Sequence, residues 1–368
     1  MGKITRRDFL KFLAASAVTI VAKPDFIFAS ARTEPFEFLV VGDSLIWGQG
    51  NLEKDKIYTL VADWLRTTAF GRPREVNLKV KAHSGSTLKF HPEEAEKYKK
   101  AGRDETYYYK PEVNVGFPSS WKQIEAAADE YRAAGKAGAD LIMISGGITD
   151  ITTSRVFDPK GDDAVLRAEI KKYCEDDMFD VLELAASKNP NATLAVVGYF
   201  PAISPKSSES KLLNAWLEAL SFPRAFKWVA NNPITRPIYF SKLKKRAMQR
   251  SKIFLEESNR HLRLAVERIN TKFGDHRAVF VESPMTDEHA AEAPNTVLFR
   301  MGKGGIVKDN VARERIADCR AALPELKRTT GIDYSIKLCE IAAVGHPDPT
   351  GSRMYAEAIK TAILPHLR

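Results

Sequence analysis

Short apolar runs alternating with long stretches of helical spacing constrain this chain more than any other feature. Glu37-Phe38-Leu39-Val40-Val41 ends at Gly42, and Asp140-Leu141-Ile142-Met143-Ile144 ends at Ser145-Gly146-Gly147. Thr193 to Val197 and Ala278 to Val281 have the same character, while Val76 to Lys81 alternates apolar and polar residues. Between them lie helical patterns at Ile57 to Thr67, Trp121 to Lys136 and Ala164 to Lys188, with a last helix from Pro349 or Thr350 to about Leu364. Strands that are apolar throughout are buried on both faces, and helices between them supply the cover, so βαβ units around a parallel sheet are expected. A chain of 368 residues allows one enlarged α/β domain or a core carrying an insertion. With 44% hydrophobic and 28% charged residues it is neither a disordered chain, a collagen nor a bundle of membrane helices.

The N-terminus reads as an address. Thr5-Arg6-Arg7-Asp8-Phe9-Leu10-Lys11 precedes an apolar run from Phe12 to Ala22, and Ala29-Ser30-Ala31 offers a small-x-small cleavage site. Residues 1–31 are therefore expected to be a twin-arginine export signal, with an ordinary secretory signal or an uncleaved amphipathic tail as the alternatives. Export places the protein in the periplasm or outside the cell. Without this segment the net charge falls from +9 to +6. Residues 205–260 alone hold twelve Lys/Arg against four Asp/Glu, so the basicity belongs to one stretch and no nucleic-acid partner is expected.

That stretch belongs to the region 201–275, which breaks the strand–helix rhythm. Prolines stand at 201, 205, 223, 233 and 237, tryptophans at 216 and 228, and a basic amphipathic pattern runs from about Phe240 to Lys272. It reads as an insertion. Apolar residues from Leu212 to Trp228 beside Lys242-Leu243-Lys244-Lys245-Arg246 suit either a lid with peripheral membrane contact or a packed subdomain with a solvated basic face. Residues 89–118, with Tyr107-Tyr108-Tyr109, form a smaller excursion.

Four polar blocks follow the strands or precede the last helix: Gly42-Asp43-Ser44-Leu45, His83-Ser84-Gly85-Ser86-Thr87, Ser145-Gly146-Gly147-Ile148-Thr149-Asp150 and Gly345-His346-Pro347-Asp348. Each alone has an ordinary explanation: a serine after a strand commonly caps a helix, and a glycine commonly serves a turn. In a parallel sheet, however, the first three fall at the carboxyl ends of strands, where ligands bind, and the fourth stands immediately before the last helix. The absence of C-x-x-C, H-E-x-x-H and G-x-x-x-x-G-K-[ST] offers no ready metal or nucleotide site, and no cofactor is expected.

Taken together, in the order Ser, Gly, Gly-x-Thr-Asp, His-Pro, the blocks resemble the SGNH hydrolases, also called GDSL esterases/lipases, over about 36–200 and 278–368. No G-x-S-x-G is present, which argues against the nucleophile elbow of the α/β-hydrolases. The resemblance implies a three-layer α/β/α sandwich with a flavodoxin-like parallel sheet. It implies Ser44 as nucleophile, His346 as general base, and an oxyanion hole from the N–H groups of Ser44 and Gly85 with Thr149 as a further donor. Two positions depart from the family pattern: Thr149 stands where an asparagine is usual, and Ala343 stands where an aspartate usually orients the histidine. Asp348 lies on the wrong side of His346 to replace it.

The expected activity is hydrolysis of a small-molecule, lipid or polysaccharide ester through an acyl-enzyme. The alternatives are acyl transfer to a sugar hydroxyl, or non-catalytic binding of carbohydrate or lipid on the same scaffold. Cys319 and Cys339 flank the stretch before His346 and are read equally as a disulfide or as two buried thiols, and Cys174 as a single buried thiol. His289, in Asp287-Glu288-His289, is expected to be structural. The oligomeric state is open.

Overall fold

The computed structural model describes residues 34–103, 109–212, 236–302 and 305–367, with backbone alone at 236–241. The expected export signal, Tyr107-Tyr108 and the apolar run from Leu213 to Trp228 lie outside the described residues. From Phe36 onward the chain forms one unit. Five strands make an all-parallel sheet: β1 (Phe36–Val41), β2 (Val76–Val80), β3 (Leu141–Ile144), β4 (Thr193–Val197) and β5 (Ala278–Val281), in the order β2-β1-β3-β4-β5. Phe38 pairs with Leu78 on one side and Leu141 on the other, which fixes the register at the centre. All residues of β1, β3 and β4 are buried, whereas the edge strands β2 and β5 are mixed. Central strands have two covered faces, and this explains their uninterrupted apolar sequences.

The helices divide into two layers. On one face α2 (Ile57–Thr67) packs against α12 (Pro349–Ile363). On the other, α4 (Ser120–Ala133), α8 (Met178–Lys188) and α9 (Arg236–Phe273) pack together. The expected α/β/α sandwich is therefore what the chain forms.

Three expectations change in detail. The single helix over Ala164 to Lys188 is divided into α7 (Asp163–Lys171), a π-helical turn (Lys172–Asp177) and α8. The turn buries Cys174 against Gly147, where an added Cβ would lie 2.7 Å from the sulfur. The region 201–275 is not wholly an insertion, because Phe254, Leu262, Ala265, Val266 and Ile269 of α9 belong to the central core. Its second half is the crossover helix between β4 and β5. Its basic residues are largely paired: Arg246 and Arg250 hold Asp163 on α7, Arg268 meets Asp176, and Lys272 meets Glu183. The excursion at 89–118 carries α3 (Pro92–Lys100) and builds a second apolar cluster with α10 (Ala312–Thr330), in which Tyr98, Val115 and Phe117 meet Leu323 and Leu326.

Candidate active site

The sheet order places β2 and β3 on opposite sides of β1, so consecutive crossovers leave in opposite directions there and open a crevice beyond the carboxyl ends of β1 and β3. Ser44 follows β1 as the first residue of α1 (Ser44–Trp47). Asp43, not Ser44, is the N-cap: its carboxylate accepts from the Leu45 N–H at 3.0 Å. The same carboxylate accepts from Ser145 Oγ at 2.6 Å and from the Tyr199 hydroxyl at 3.3 Å. Burial pushes the Asp43 carboxyl up, against the hydrogen bonds from Ser145, Leu45 and Tyr199.

His346 reaches this point from the far end of the chain. Its Nε2 lies 2.7 Å from Ser44 Oγ, across 302 residues of sequence. The segment carrying it is held by the backbone: Phe299 N donates to His346 O, His346 N to Ala343 O, and Asp348 N to Val297 O. Asp348 caps α12 by accepting from Thr350 and Gly351 N–H groups, and so takes no part in orienting the histidine. His346 Nδ1 is buried without a hydrogen-bond partner among the described residues. Burial, then the charge of Arg315, lowers its pKa to about 4, while the backbone of Ala342, Ala343 and Val344 works the other way. The imidazole is thus neutral at pH 7 and able to accept a proton at Nε2.

Ala343 is fully buried beside Phe299, Met301, Val307 and Ile341. A Cβ on Gly50 would lie 2.7 Å from the Ala343 methyl, so the position that would carry an orienting carboxylate is an apolar contact here. Behind it Arg315, fully buried, donates to Asp309 at 2.5 and 2.9 Å and to the Glu340 carbonyl at 3.3 Å. The pair fixes the short helix α11 (Ile336–Glu340) that leads into the His346 segment. Cys319 and Cys339 form a disulfide between α10 and α11. Cys339 Sγ also accepts from the Asn114 N–H at 3.4 Å.

Gly85 sits opposite, in the loop after β2, with φ +79°. A side chain there would meet Asn114 Oδ1 at 2.3 Å and Val115 N at 2.7 Å, so both conformation and space require glycine. The N–H groups of Ser44 and Gly85 make no hydrogen bond among the described residues. Thr149, on α5 (Ile148–Ile151), does not supply a third donor. Its hydroxyl gives its one proton to the Ser86 carbonyl at 2.6 Å. Neighbouring Asp150 accepts from the Leu88 N–H at 3.1 Å. Burial raises the Asp150 carboxyl to about 8, and Asp177 and Asp43 add to the shift. Thr149 and Asp150 together therefore hold the Gly85 loop from below.

His289 is structural as expected: with Thr286 it forms a capping box around a single 3₁₀ turn. Gln123, Tyr199 and the Arg315–Asp309 pair are residues that the sequence does not single out, and Ser145 stands in the third block with no role assigned to it. They lie inside regular elements or loops with nothing local to mark them.

The arrangement is a serine hydroxyl hydrogen-bonded to a neutral imidazole, with two free N–H groups near the same crevice. Such a set can deprotonate the hydroxyl and stabilise an oxyanion. Among the described residues, no group of three or more His, Cys, Asp or Glu side chains could hold a metal ion. No family profile matches the chain, and no curated protein does. Solved structures similar to it include an extracellular lipase from Streptomyces rimosus, at 12% identity over 89% of this chain and 99% of that one, TM-score 0.46. A phospholipase A1 from Streptomyces albidoflavus shares 11% over 89% and 100%, TM-score 0.42. A family 3 carbohydrate esterase from Clostridium thermocellum shares 11% over 91% and 98%, TM-score 0.40.

Proposed function

We propose that this protein is a serine ester hydrolase of the SGNH kind. The observation that carries the reading is the 2.7 Å contact between Ser44 Oγ and His346 Nε2 at the crevice between β1 and β3. Ser44 Oγ attacks the carbonyl carbon as His346 Nε2 takes its proton. The tetrahedral oxyanion is met by the N–H groups of Ser44 and Gly85. Collapse expels the alcohol, protonated by His346, and leaves an acyl-enzyme on Ser44. Water, deprotonated by His346, then releases the acid. The imidazole works as half of a dyad, oriented by its backbone and by packing rather than by a carboxylate.

The substrate is a small-molecule, lipid or polysaccharide ester. Residues 1–31 act as the twin-arginine signal, and the mature protein works in the periplasm or outside the cell. Hydrolysis of p-nitrophenyl esters by the wild type, abolished in Ser44→Ala and lowered by several orders of magnitude in His346→Ala with unchanged folding, is the expected result. A second reading, non-catalytic binding of carbohydrate or lipid on this scaffold, is favoured by Ala343, which stands where a carboxylate would orient His346, and by Thr149, whose hydroxyl is turned to the Ser86 carbonyl. Equal ligand affinity in wild type and Ser44→Ala, with turnover in neither, selects it. Replacing Arg6 and Arg7 by lysine tests export: the variant remains in the cytoplasm if the assignment holds.

A further inference from the structure

Gln123 lies on α4, 2% exposed, beneath the crevice. Its amide oxygen accepts from the Gly42 N–H at 2.7 Å. Its amide nitrogen donates to the Gly42 carbonyl at 3.2 Å, to Ser86 Oγ at 2.8 Å and to the Pro118 carbonyl at 2.9 Å. The Ser86 hydroxyl itself donates to Pro118 O at 2.5 Å. Gly42 stands two residues before Ser44, and Ser86 directly follows Gly85. One buried amide therefore ties together the loops that carry Ser44 and Gly85.

Part of this link is made by Gln123 alone. At Gly42 the chain leaves the sheet with φ +127°, and an added Cβ would lie 2.2 Å from the Ser145 carbonyl oxygen, so this position admits no side chain. The Gly42 carbonyl also accepts from His83 N, but its N–H finds only Gln123 among the described residues. The helix itself is held by other groups, since Ile124, Ala127 and Tyr131 fill the core.

We propose that Gln123 is a positioning residue that sets the spacing between the Ser44 and Gly85 donors, and so the fit of the oxyanion hole to the transition state. This rests on the ester-hydrolase reading above. Donors aimed at developing charge lose most of their effect when displaced by about an ångström.

The test uses p-nitrophenyl acetate with the wild type, Gln123→Met and Gln123→Glu. Gln123→Met matches the length and removes every hydrogen bond. It is expected to lower kcat about a hundredfold, as loss of one oxyanion donor does, while KM stays within about twofold. In Gln123→Glu the ionised carboxylate cannot donate, whereas the protonated acid regains one donor. Its kcat relative to wild type is expected to rise as pH falls from about 8 to about 5. Folded Gln123→Met with wild-type kcat, or a loss confined to KM, overturns the proposal. Should Gln123→Met fail to fold, a flat Gln123→Glu ratio overturns it and a rising ratio supports it. A wild type that neither turns over the ester nor is labelled at Ser44 by a fluorophosphonate defeats the hydrolase reading itself, before any variant is compared.

Discussion

The Asp43 carboxylate occupies the N-cap of α1, and the adjacent Ser44 therefore keeps a hydroxyl that meets His346 Nε2 at 2.7 Å. A serine following a strand ordinarily satisfies the first N–H groups of the helix with its own oxygen. Here its neighbour does so, and is in turn bound by Ser145 and Tyr199.

Removing that carboxylate has a cost in stability. Asp43→Ala deletes the cap and leaves Ser145 Oγ and the Tyr199 hydroxyl without their acceptor. A loss of about 2–4 kcal/mol is expected. Asp43→Asn keeps one acceptor oxygen and should cost less. Urea unfolding of both variants checks the order, and equal stability would show that the cap contributes little.

The His346 environment predicts an unusual acid limb. With its pKa lowered to about 4, kcat/KM is expected to be flat from about pH 5 upward and to fall as pH drops through about 4. The folded value lies below the ordinary 6.5, so between those two values the unfolded chain binds the extra proton. This group's contribution is complete above about pH 6.5 and is lost as pH falls toward 4, by about 3 kcal/mol in all. His346→Gln should lack that dependence, so the difference in unfolding free energy between it and the wild type should change over this window.

Arg315 acts on the same titration through its charge. Arg315→Met alone leaves Asp309 buried and unpaired, and is expected to destabilise by about 3–5 kcal/mol. The double variant Asp309→Asn, Arg315→Met removes both charges and should recover part of that loss. With the cation gone, its acid limb should move to higher pH. An unmoved limb would show that burial alone sets the His346 value.

The Cys319–Cys339 bond closes a loop with a sequence separation of 20 residues. The chain-entropy account gives about 3 kcal/mol for such a loop. Cys319→Ser, Cys339→Ser is expected to lower stability by that order. Because Cys339 also touches Asn114 N beside Gly85, it should lower kcat as well. Thermal melts and ester kinetics of oxidised wild type and the double variant decide both points.

The strands at 193–197 and 278–281 fall where their apolar runs place them, because burial inside a sheet leaves a dense local signature. The polar blocks at Ser44 and Gly85 are legible for a related reason: strand ends in a parallel sheet share one edge, and His346 is marked by its place just before the last helix. Other features depend on distant partners. Nothing between Ala164 and Lys188 announces the π turn that buries Cys174 against Gly147 of another segment. Gln123 resembles any polar residue of an Ala- and Glu-rich helix until Gly42 and Ser86 are brought against it. Thr149 invites a role as oxyanion donor by its place in the block. Only the Ser86 carbonyl, from a different loop, shows where its proton goes.

The most direct measurement treats the purified mature protein with a fluorophosphonate and maps the adduct by peptide mass spectrometry. One adduct on Ser44, absent from Ser44→Ala and strongly slowed in His346→Ala, is the predicted result. An unlabelled Ser44 in correctly folded wild-type protein, or labelling that is indifferent to His346, would contradict it.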